Sequence, residues 1–475
     1  MATPEPSSPA PRPGGIRQMP GPRGLDALRW FRSFQQRPLD TLLRARATYG
    51  DLSVIDVGVY PPVVLVSDHA VLRQVLVENA SNYKKSRAYD SLGLLVGKGL
   101  IASEGELWRR QRALIQPAFH PSLFAAQVDR MAEATARALD ALADKGEVDL
   151  HAELVRLTLT IVGEVLFGFD VATGADEVAA AFTTAARFVD ARNDSILAAP
   201  LWAPTPANLR FRAARATLDQ MVQRIIDERR QSPNNRGDLL GMLMAARDEV
   251  SGQGLDDRQL RDEVMTMLIA GHETSANGVT WLFHAVMGAP EVEQRLAEEA
   301  RRVLGERPAR LDDLSRFPYT LQVIQEALRL YPPIWMFERT PIAPDTLLGH
   351  RIEPGAVVSI SPYLLHRVPS DWPDPERFDP ERFRPDAMAG RRKMAWLPFG
   401  AGGRRCIGER VAIMEMQVIT AMAIARYRFV PVPGHAVDPE ANVTLRPRDG
   451  LRVRVERRAP QPTAPTPPSL HVPRP

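Results

Sequence analysis

Apolar positions along the chain fall into two rhythms. Near the start, LSVIDVG (52–58) and PVVLVSD (62–68) are short runs rich in β-branched residues, separated by a brief turn, which predicts a hairpin. Strand-like runs return late, in AVVSISPY (356–363) and LRVRVE (451–456). Between them apolar residues recur at helical spacing over 122–144, 207–230, 257–288, 317–331 and 409–427. The expected fold is mainly α with a smaller β region, in which one sheet drawn from both ends of the chain packs beside a larger helical body.

Composition adds limits. With 44% apolar and 25% charged residues over 475 positions, the chain can bury a substantial core. Seven of the 42 prolines fall in 1–23 and seven more in 460–475, so segments 1–24 and 459–475 read as Pro-rich flexible tails around a single domain, 25–458. A net charge of +3, with no basic run interleaved with aromatics, argues against nucleic-acid binding. No uninterrupted apolar run approaches the length of a membrane span, and the first thirty residues contain no signal-like apolar core. The single cysteine, Cys406, excludes an intrachain disulfide and a zinc site built on several thiolates, and it is compatible with a reducing cytoplasm.

That cysteine lies in FGAGGRRCIG (399–408), just before a strongly helical stretch. A helix N-terminus and the neighbouring Arg404 and Arg405 favour an anionic sulfur, while Gly400, Gly402, Gly403 and Gly408 let the main chain approach a large flat object. Three roles stay open on these residues alone. The thiol is a buried structural group, or a nucleophile, for which no histidine partner is designated, or a metal ligand whose other ligands come from outside the chain, as in haem.

The pattern F-G-x-G-x-R-x-C-x-G, filled by Phe399, Gly400, Gly402, Arg404, Cys406 and Gly408, resembles the haem-binding signature of the cytochrome P-450 family of haem-thiolate monooxygenases. Upstream segments resemble that family's other elements, in its order. AGHETS (270–275) lies within the predicted helix 257–288, which in the family crosses over the haem. There Ala270 and Gly271 remove bulk, and the Thr274 hydroxyl competes for the carbonyl four residues back, predicting a locally opened, polar groove. By resemblance this is the oxygen-activation motif, with Glu273 as the acid and Thr274 as the alcohol. Glu326 and Arg329 in EALR share a helix face, and the family completes this structural triad with an arginine from a PERF segment. Two copies, 375–378 and 380–383, leave the register ambiguous; spacing to Cys406 favours Arg382. In SEGELWRRQR, Ser103 and Glu106 predict a capping box opening a helix that carries Trp108 and Arg112. These two, with Arg339 and Arg404, resemble the family's contacts to the haem propionates. Ile334, Trp335, Met336 and Phe337, together with Met267 and Ala270, are placed where the family contacts substrate.

The resemblance implies haem b, dioxygen as co-substrate, and hydroxylation or epoxidation of a hydrophobic small molecule: a fatty acid, terpenoid, steroid or polyketide. WRRQRALIQPAFH resembles the fatty-acid-oxidising branches, and the reading leans to fatty-acid or terpenoid hydroxylation. Electrons from NAD(P)H are expected to arrive through a separate ferredoxin or flavodoxin with its reductase, docking on Arg109, Arg110, Arg391, Arg392, Lys393 and Arg405. The expected location is cytoplasmic. A peroxide-using or peroxide-rearranging haem-thiolate enzyme and a non-catalytic haem sensor are the alternatives, and the Glu273–Thr274 pair argues against both.

Overall fold

In the computed structural model the hairpin forms where the β-branched runs place it, with Leu52–Ile55 antiparallel to Val63–Val66. The structure describes residues 14–459, apart from 59–60, 121–122, 124–126, 143–144, 172–173, 194–197, 232–237 and 248–251. Val357–Ile360 runs parallel to Val63–Val66, and Phe337–Pro341 and Tyr83–Lys85 complete a five-stranded sheet. Residues on one face of this sheet, among them Val54, Val64, Val66, Val358 and Ile360, close a compact apolar cluster of their own.

The late run does not join that sheet. Arg452–Arg457 lies between Tyr427–Pro431 and Glu147–Asp149 in a separate antiparallel sheet, which corrects the single sheet expected from both chain ends. Tyr427–Pro431 follows directly on the helix Glu409–Arg426, so its partner strands are drawn to the helical body, where the Tyr427 hydroxyl donates to the Leu139 carbonyl at 3.1 Å.

The predicted helices appear as Val128–Leu142, Pro206–Gln231, Asp257–Met287, Pro318–Leu330 and Glu409–Arg426. The longest, Asp257–Met287, opens on a capping box: Asp256 Oδ1 accepts the Gln259 N–H at 2.7 Å while Gln259 Oε1 accepts the Asp256 N–H at 3.3 Å. Buried residues occupy every face of this central helix, so it runs through the core instead of along its surface. It packs against Leu150–Ile161, Pro318–Leu330 and Glu409–Arg426. The larger apolar cluster surrounds it, and the space left between it and the cysteine segment is the cavity described below.

Of the N-terminal segment 1–24, residues 1–13 lie outside the described residues. The remainder is packed: Gly14–Gly15 run parallel to His350–Arg351, and Met19 is fully buried. The C-terminal segment lies outside the described residues from 460 onward.

Candidate active site

The cysteine loop is held by backbone bonds that its glycines make accessible. Gly400, at φ +69°, donates its N–H to the Leu397 carbonyl at 3.1 Å, and the Cys406 N–H closes the loop onto the Phe399 carbonyl at 2.9 Å. Gly402, at φ +67°, does not face the cavity; a Cβ there would lie 1.8 Å from the Leu76 carbonyl oxygen. Its small size serves the packing of the loop against Leu76–Val77, a correction to its expected place beside the cofactor. Gly408 caps the helix Glu409–Arg426.

Behind the loop lies a buried charge cluster. Arg329 donates to Glu326 through Nε (2.6 Å) and Nη2 (2.8 Å), both side chains wholly buried. Its remaining N–H groups reach the carbonyls of His366 (2.9 Å), Pro375 (2.7 Å) and Arg377 (3.1 Å), while the Asp379 N–H donates to Glu326 Oε1 at 2.8 Å. Arg382 places Nε 3.5 Å from Glu326 Oε1, whereas Arg377 of the other PERF copy offers only its carbonyl. His366, which no motif singled out, links this cluster to the loop. Its Nδ1 lies 3.1 Å from the Arg329 carbonyl and its Nε2 accepts the Leu397 N–H at 2.8 Å, which fixes the neutral Nδ1–H tautomer. Burial, helped by the charge of Arg329, pushes His366 down to about 3, so the link survives across ordinary pH.

Cys406 opens onto a cavity of about 330 Å³ that the Ala270, Gly271 and Thr274 side of the central helix also lines. Burial pushes the thiol up, opposed by a bond from the Gly408 N–H and by the charges of Arg112 and Arg405. The Thr274 hydroxyl donates to the Ala270 carbonyl at 2.8 Å. The helix nevertheless stays continuous through 270–275, which corrects the expected opening: the hydroxyl adds a bond to that carbonyl without breaking the helical ladder. Gly271 lines the cavity, and it also lets the neighbouring Val162 approach, since a Cβ there would sit 2.9 Å from that side chain.

Glu273 points elsewhere. It is buried, it does not line the cavity, and its Oε1 accepts the Thr444 hydroxyl at 2.9 Å. Asn277 Nδ2 donates to that hydroxyl oxygen (3.1 Å), and Asn277 Oδ1 lies 2.9 Å from His151 Nε2. Burial pushes Glu273 up to about 7, against the pull of Thr444 and Arg446. His272 turns its Nδ1 to the Leu268 carbonyl at 2.7 Å and packs edge-on to Phe182, a structural role. Ser275 donates at 2.6 Å to Glu415, a buried carboxyl pushed up to about 8 that ties the central helix to the helix after the cysteine. Sequence patterns gave no sign of that pair.

A second wall of the cavity is basic. Trp108, Arg112, Arg339, Arg404, Lys85 and Tyr89 all line it. Arg404 stacks 4.1 Å over the Trp108 ring and pairs with Glu104. Arg112 Nη1 donates to the Arg405 carbonyl at 3.1 Å, beside the cysteine. The helix bearing Trp108 and Arg112, Gly105–Ile115, is entered through Glu104; Ser103 makes no capping bond and donates weakly to the Leu100 carbonyl, which corrects the expected capping box. Arg339 is buried and, among the described residues, forms no ion pair; it bonds to Tyr89 and to the Glu338 carbonyl. A buried guanidinium without a carboxylate calls for an anion.

Ile334, Phe337 and Met267 line the cavity with Leu100, Ile101 and Val165. Trp335 and Met336 do not. Trp335 sends its indole N–H to the Asn442 carbonyl at 2.6 Å and packs with Leu42, Leu65 and Trp281, and Met336 packs into the same cluster. The pull of that acceptor and that apolar cluster turns both away from the expected substrate contact. Of the basic residues expected at the surface, Arg391 lies 3.8 Å over the Trp372 ring and donates to the Asp371 carbonyl, so it belongs to the loop's scaffold. Arg392 pairs with Asp371 and Arg405 with Glu409, while Arg109 and Lys393 are exposed.

The donor set fits the haem that the resemblance implies. Among the described residues no group of three or more His, Cys, Asp or Glu side chains could hold a bare ion, and a metal on the one thiolate of Cys406 would need a cofactor to supply its other ligands. Lys85, Arg112, Arg339 and Arg404 in the cavity wall would suit the carboxylates of such a cofactor.

Comparison with known proteins agrees. The model of the family described as Cytochrome P450 matches residues 22–453. The chain is 37% identical over 431 residues to cyclooctat-9-en-7-ol 5-monooxygenase of Streptomyces melanosporofaciens, covering 90% of this chain and 92% of that one. It is 34% identical over 440 residues to cyclooctatin synthase of the same organism (90% and 94% covered), and 35% identical over 431 residues to pentalenene oxygenase of Streptomyces avermitilis (90% and 94% covered). No helix among the described residues is long and apolar enough to cross a membrane. With a cysteine loop braced by a buried triad, a threonine turn across the same cavity and a family match over nearly the whole chain, the protein belongs to the cytochrome P450 family of haem-dependent monooxygenases.

Proposed function

We propose that this monooxygenase transfers one oxygen atom from dioxygen to a terpenoid-like, largely hydrocarbon substrate, and that Cys406 would hold the haem iron. The observation that carries the reading is a single cavity lined both by Cys406 and by Ala270, Gly271 and Thr274. Haem, when bound, supplies dioxygen activation, and a thiolate ligand favours O–O cleavage. The rest is the chain's own work. Arg112, Arg339 and Arg404 would hold the cofactor's carboxylates, and the triad with His366 keeps the cysteine loop in register. Thr274 offers its hydroxyl in the cavity wall, and Glu273, turned to Thr444 away from that wall, holds a proton near neutral pH that a change of rotamer would bring to the Thr274 side.

The substrate end of the cavity, walled by Leu100, Ile101, Val165, Met267, Ile334 and Phe337, offers hydrophobic contact and excludes water. Two relatives are named for cyclooctat-9-en-7-ol and pentalenene, an unsaturated alcohol and an alkene by their names, which supports the terpenoid option over fatty acids. Electrons come from NAD(P)H through a separate ferredoxin or flavodoxin and its reductase, for which exposed Arg109, Arg392, Lys393 and Arg405 offer a basic docking face. A cytoplasmic location suits a chain with one cysteine.

The test is turnover under ¹⁸O₂ with NADPH, a ferredoxin and its reductase, on a panel of cyclic terpenes, terpene alcohols and fatty acids. The proposal predicts a product from the terpene set carrying one ¹⁸O, lost on omission of the reductase. Oxidation confined to fatty acids, or supported by peroxide alone, contradicts it.

A further inference from the structure

A line of hydrogen bonds leads from Glu273 away from the cavity and ends on His151, a residue that no sequence motif singles out. Thr444, the first link, stands just before the strand Leu445–Pro447. Its neighbour Leu445 fixes it in place, donating its N–H to the Pro333 carbonyl at 2.8 Å and accepting the Trp281 indole N–H at 2.9 Å. Asn277, the second link, lies one turn past Glu273 on the central helix and is wholly buried. His151 is the second residue of the helix Leu150–Ile161, where its main-chain N–H donates to the capping Asp149 carboxylate at 3.1 Å, and the residue is half-buried.

The polarity of this line follows from what each group can do. An ionised Glu273 only accepts, so the one hydroxyl proton of Thr444 goes to Glu273 Oε1 (2.9 Å) and the Thr444 oxygen takes an Asn277 Nδ2–H (3.1 Å). Asn277 then presents Oδ1 to His151, whose ring must carry its proton on Nε2 (2.9 Å). A protonated Glu273 that donates to Thr444 reverses every step. The hydroxyl turns to Asn277 Oδ1, the amide exchanges its ends, and Asn277 Nδ2–H donates to a His151 Nε2 that carries no proton. Both arrangements satisfy every bond of the line, so the acid gives up its proton and recovers it with no buried polar group stranded. The charged groups facing the line are Arg446, which acts against Asp190 at Glu273 and against Asp149 at His151, and Glu440, which pairs with Arg446 at 3.0 Å. Burial lowers His151 below its ordinary value, so near neutrality its ring is neutral and can carry its proton on either nitrogen.

We propose that His151 is a positioning residue for Glu273: the tautomer of its ring and the charge of the acid change together, coupled by the reversal of Asn277 and Thr444. The inference rests on the reading of Glu273 as the proton source and adds what makes its release of a proton reversible. No proton crosses the amide. The one that Glu273 releases leaves on the Thr274 side, the hydroxyl and the amide rotate, and the ring gives its Nδ1 proton to water and takes one back at Nε2.

The test uses the ferrous–carbon monoxide holoenzyme, which is diamagnetic, with ¹⁵N-labelled histidine. The His151 ring signals are identified by their loss in His151→Gln, and the Glu273 carboxyl is followed by its infrared C=O stretch, identified by its loss in Glu273→Gln. As pH falls through about 7, where the acid takes up its proton, Nε2 is expected to move from the protonated to the unprotonated ¹⁵N position and Nδ1 the opposite way, with the same midpoint as the carboxyl band. Thr444→Val, which cuts the line, and Glu273→Gln, which removes the titrating acid, should each abolish that exchange of tautomers. A ring that keeps its tautomer while the carboxyl titrates, or one that exchanges equally in Thr444→Val, overturns the proposal. Unchanged turnover and peroxide release in Glu273→Gln overturn the reading of Glu273 as the proton source, an outcome separate from the ring signals.

Discussion

Glu326 and Glu273 are the same residue type, each buried on a core helix, and in both desolvation pushes the carboxyl up. Their partners differ. Glu326 accepts two bonds from Arg329 and one from the Asp379 N–H, with Arg382 close by. Glu273 accepts a hydroxyl from Thr444 and feels Arg446 only at a distance. A guanidinium in bidentate contact fixes both charge and position, whereas a hydroxyl leaves the proton free to come and go near neutrality. One acid is fixed as scaffold and the other keeps its proton near neutrality; motif resemblance separates the two in the sequence, but only their partners show why they differ.

The comparison can be broken from either side. The largest effect belongs to Glu326→Ala, which strands Arg329 without its counter-ion; a loss of about 3–5 kcal/mol in unfolding free energy is expected by chemical denaturation, with the cysteine loop loosened through His366. Glu273→Gln should behave oppositely. Turnover is expected to fall roughly a hundredfold with more peroxide released per electron consumed, while stability at pH 7 holds or rises. The sign follows from linkage. Glu273 titrates near 7 folded against about 4.3 unfolded, so its contribution is complete below about pH 4.3 and is lost as pH rises toward 7. Stability of wild type relative to Glu273→Gln should therefore drop across that window by up to roughly 3 kcal/mol. The smallest effect is that of Thr444→Val. Removing the donor that favours the carboxylate should move the alkaline limb of the pH–rate profile upward by a fraction of a unit, with a stability loss of about 1–3 kcal/mol because Asn277 Nδ2 is left without its acceptor. An unmoved limb would place Glu273 outside the proton path.

Much of this was readable beforehand where the signal is local. The hairpin runs, the central helix and the loop around Cys406 announce themselves through β-branching, helical spacing and glycine, and these are interactions within a few residues of chain. What escaped depends on distant partners. Lys85 reaches the cavity only because its strand pairs with Arg339, 254 positions away in number by subtraction of 85 from 339. His366 matters because Leu397 donates to it, and Glu415 because Ser275 does. Trp335 and Met336 looked like pocket residues from their place after the Pro318–Leu330 helix, yet the Asn442 carbonyl and a second apolar cluster claim them. Ser103 carries the right residue type for a cap, but Glu104 occupies the cap position and binds Arg404 instead. In each case a partner distant in sequence settles where the side chain goes.

The most direct measurement is the absorption spectrum of the ferrous–carbon monoxide complex in the wild type and in Cys406→Ser. Ligation of iron by Cys406 predicts the red-shifted Soret band of a thiolate complex in the wild type and its disappearance in the variant. A wild-type band of the kind given by a neutral axial ligand, or a thiolate-type band that persists in Cys406→Ser, would contradict the account.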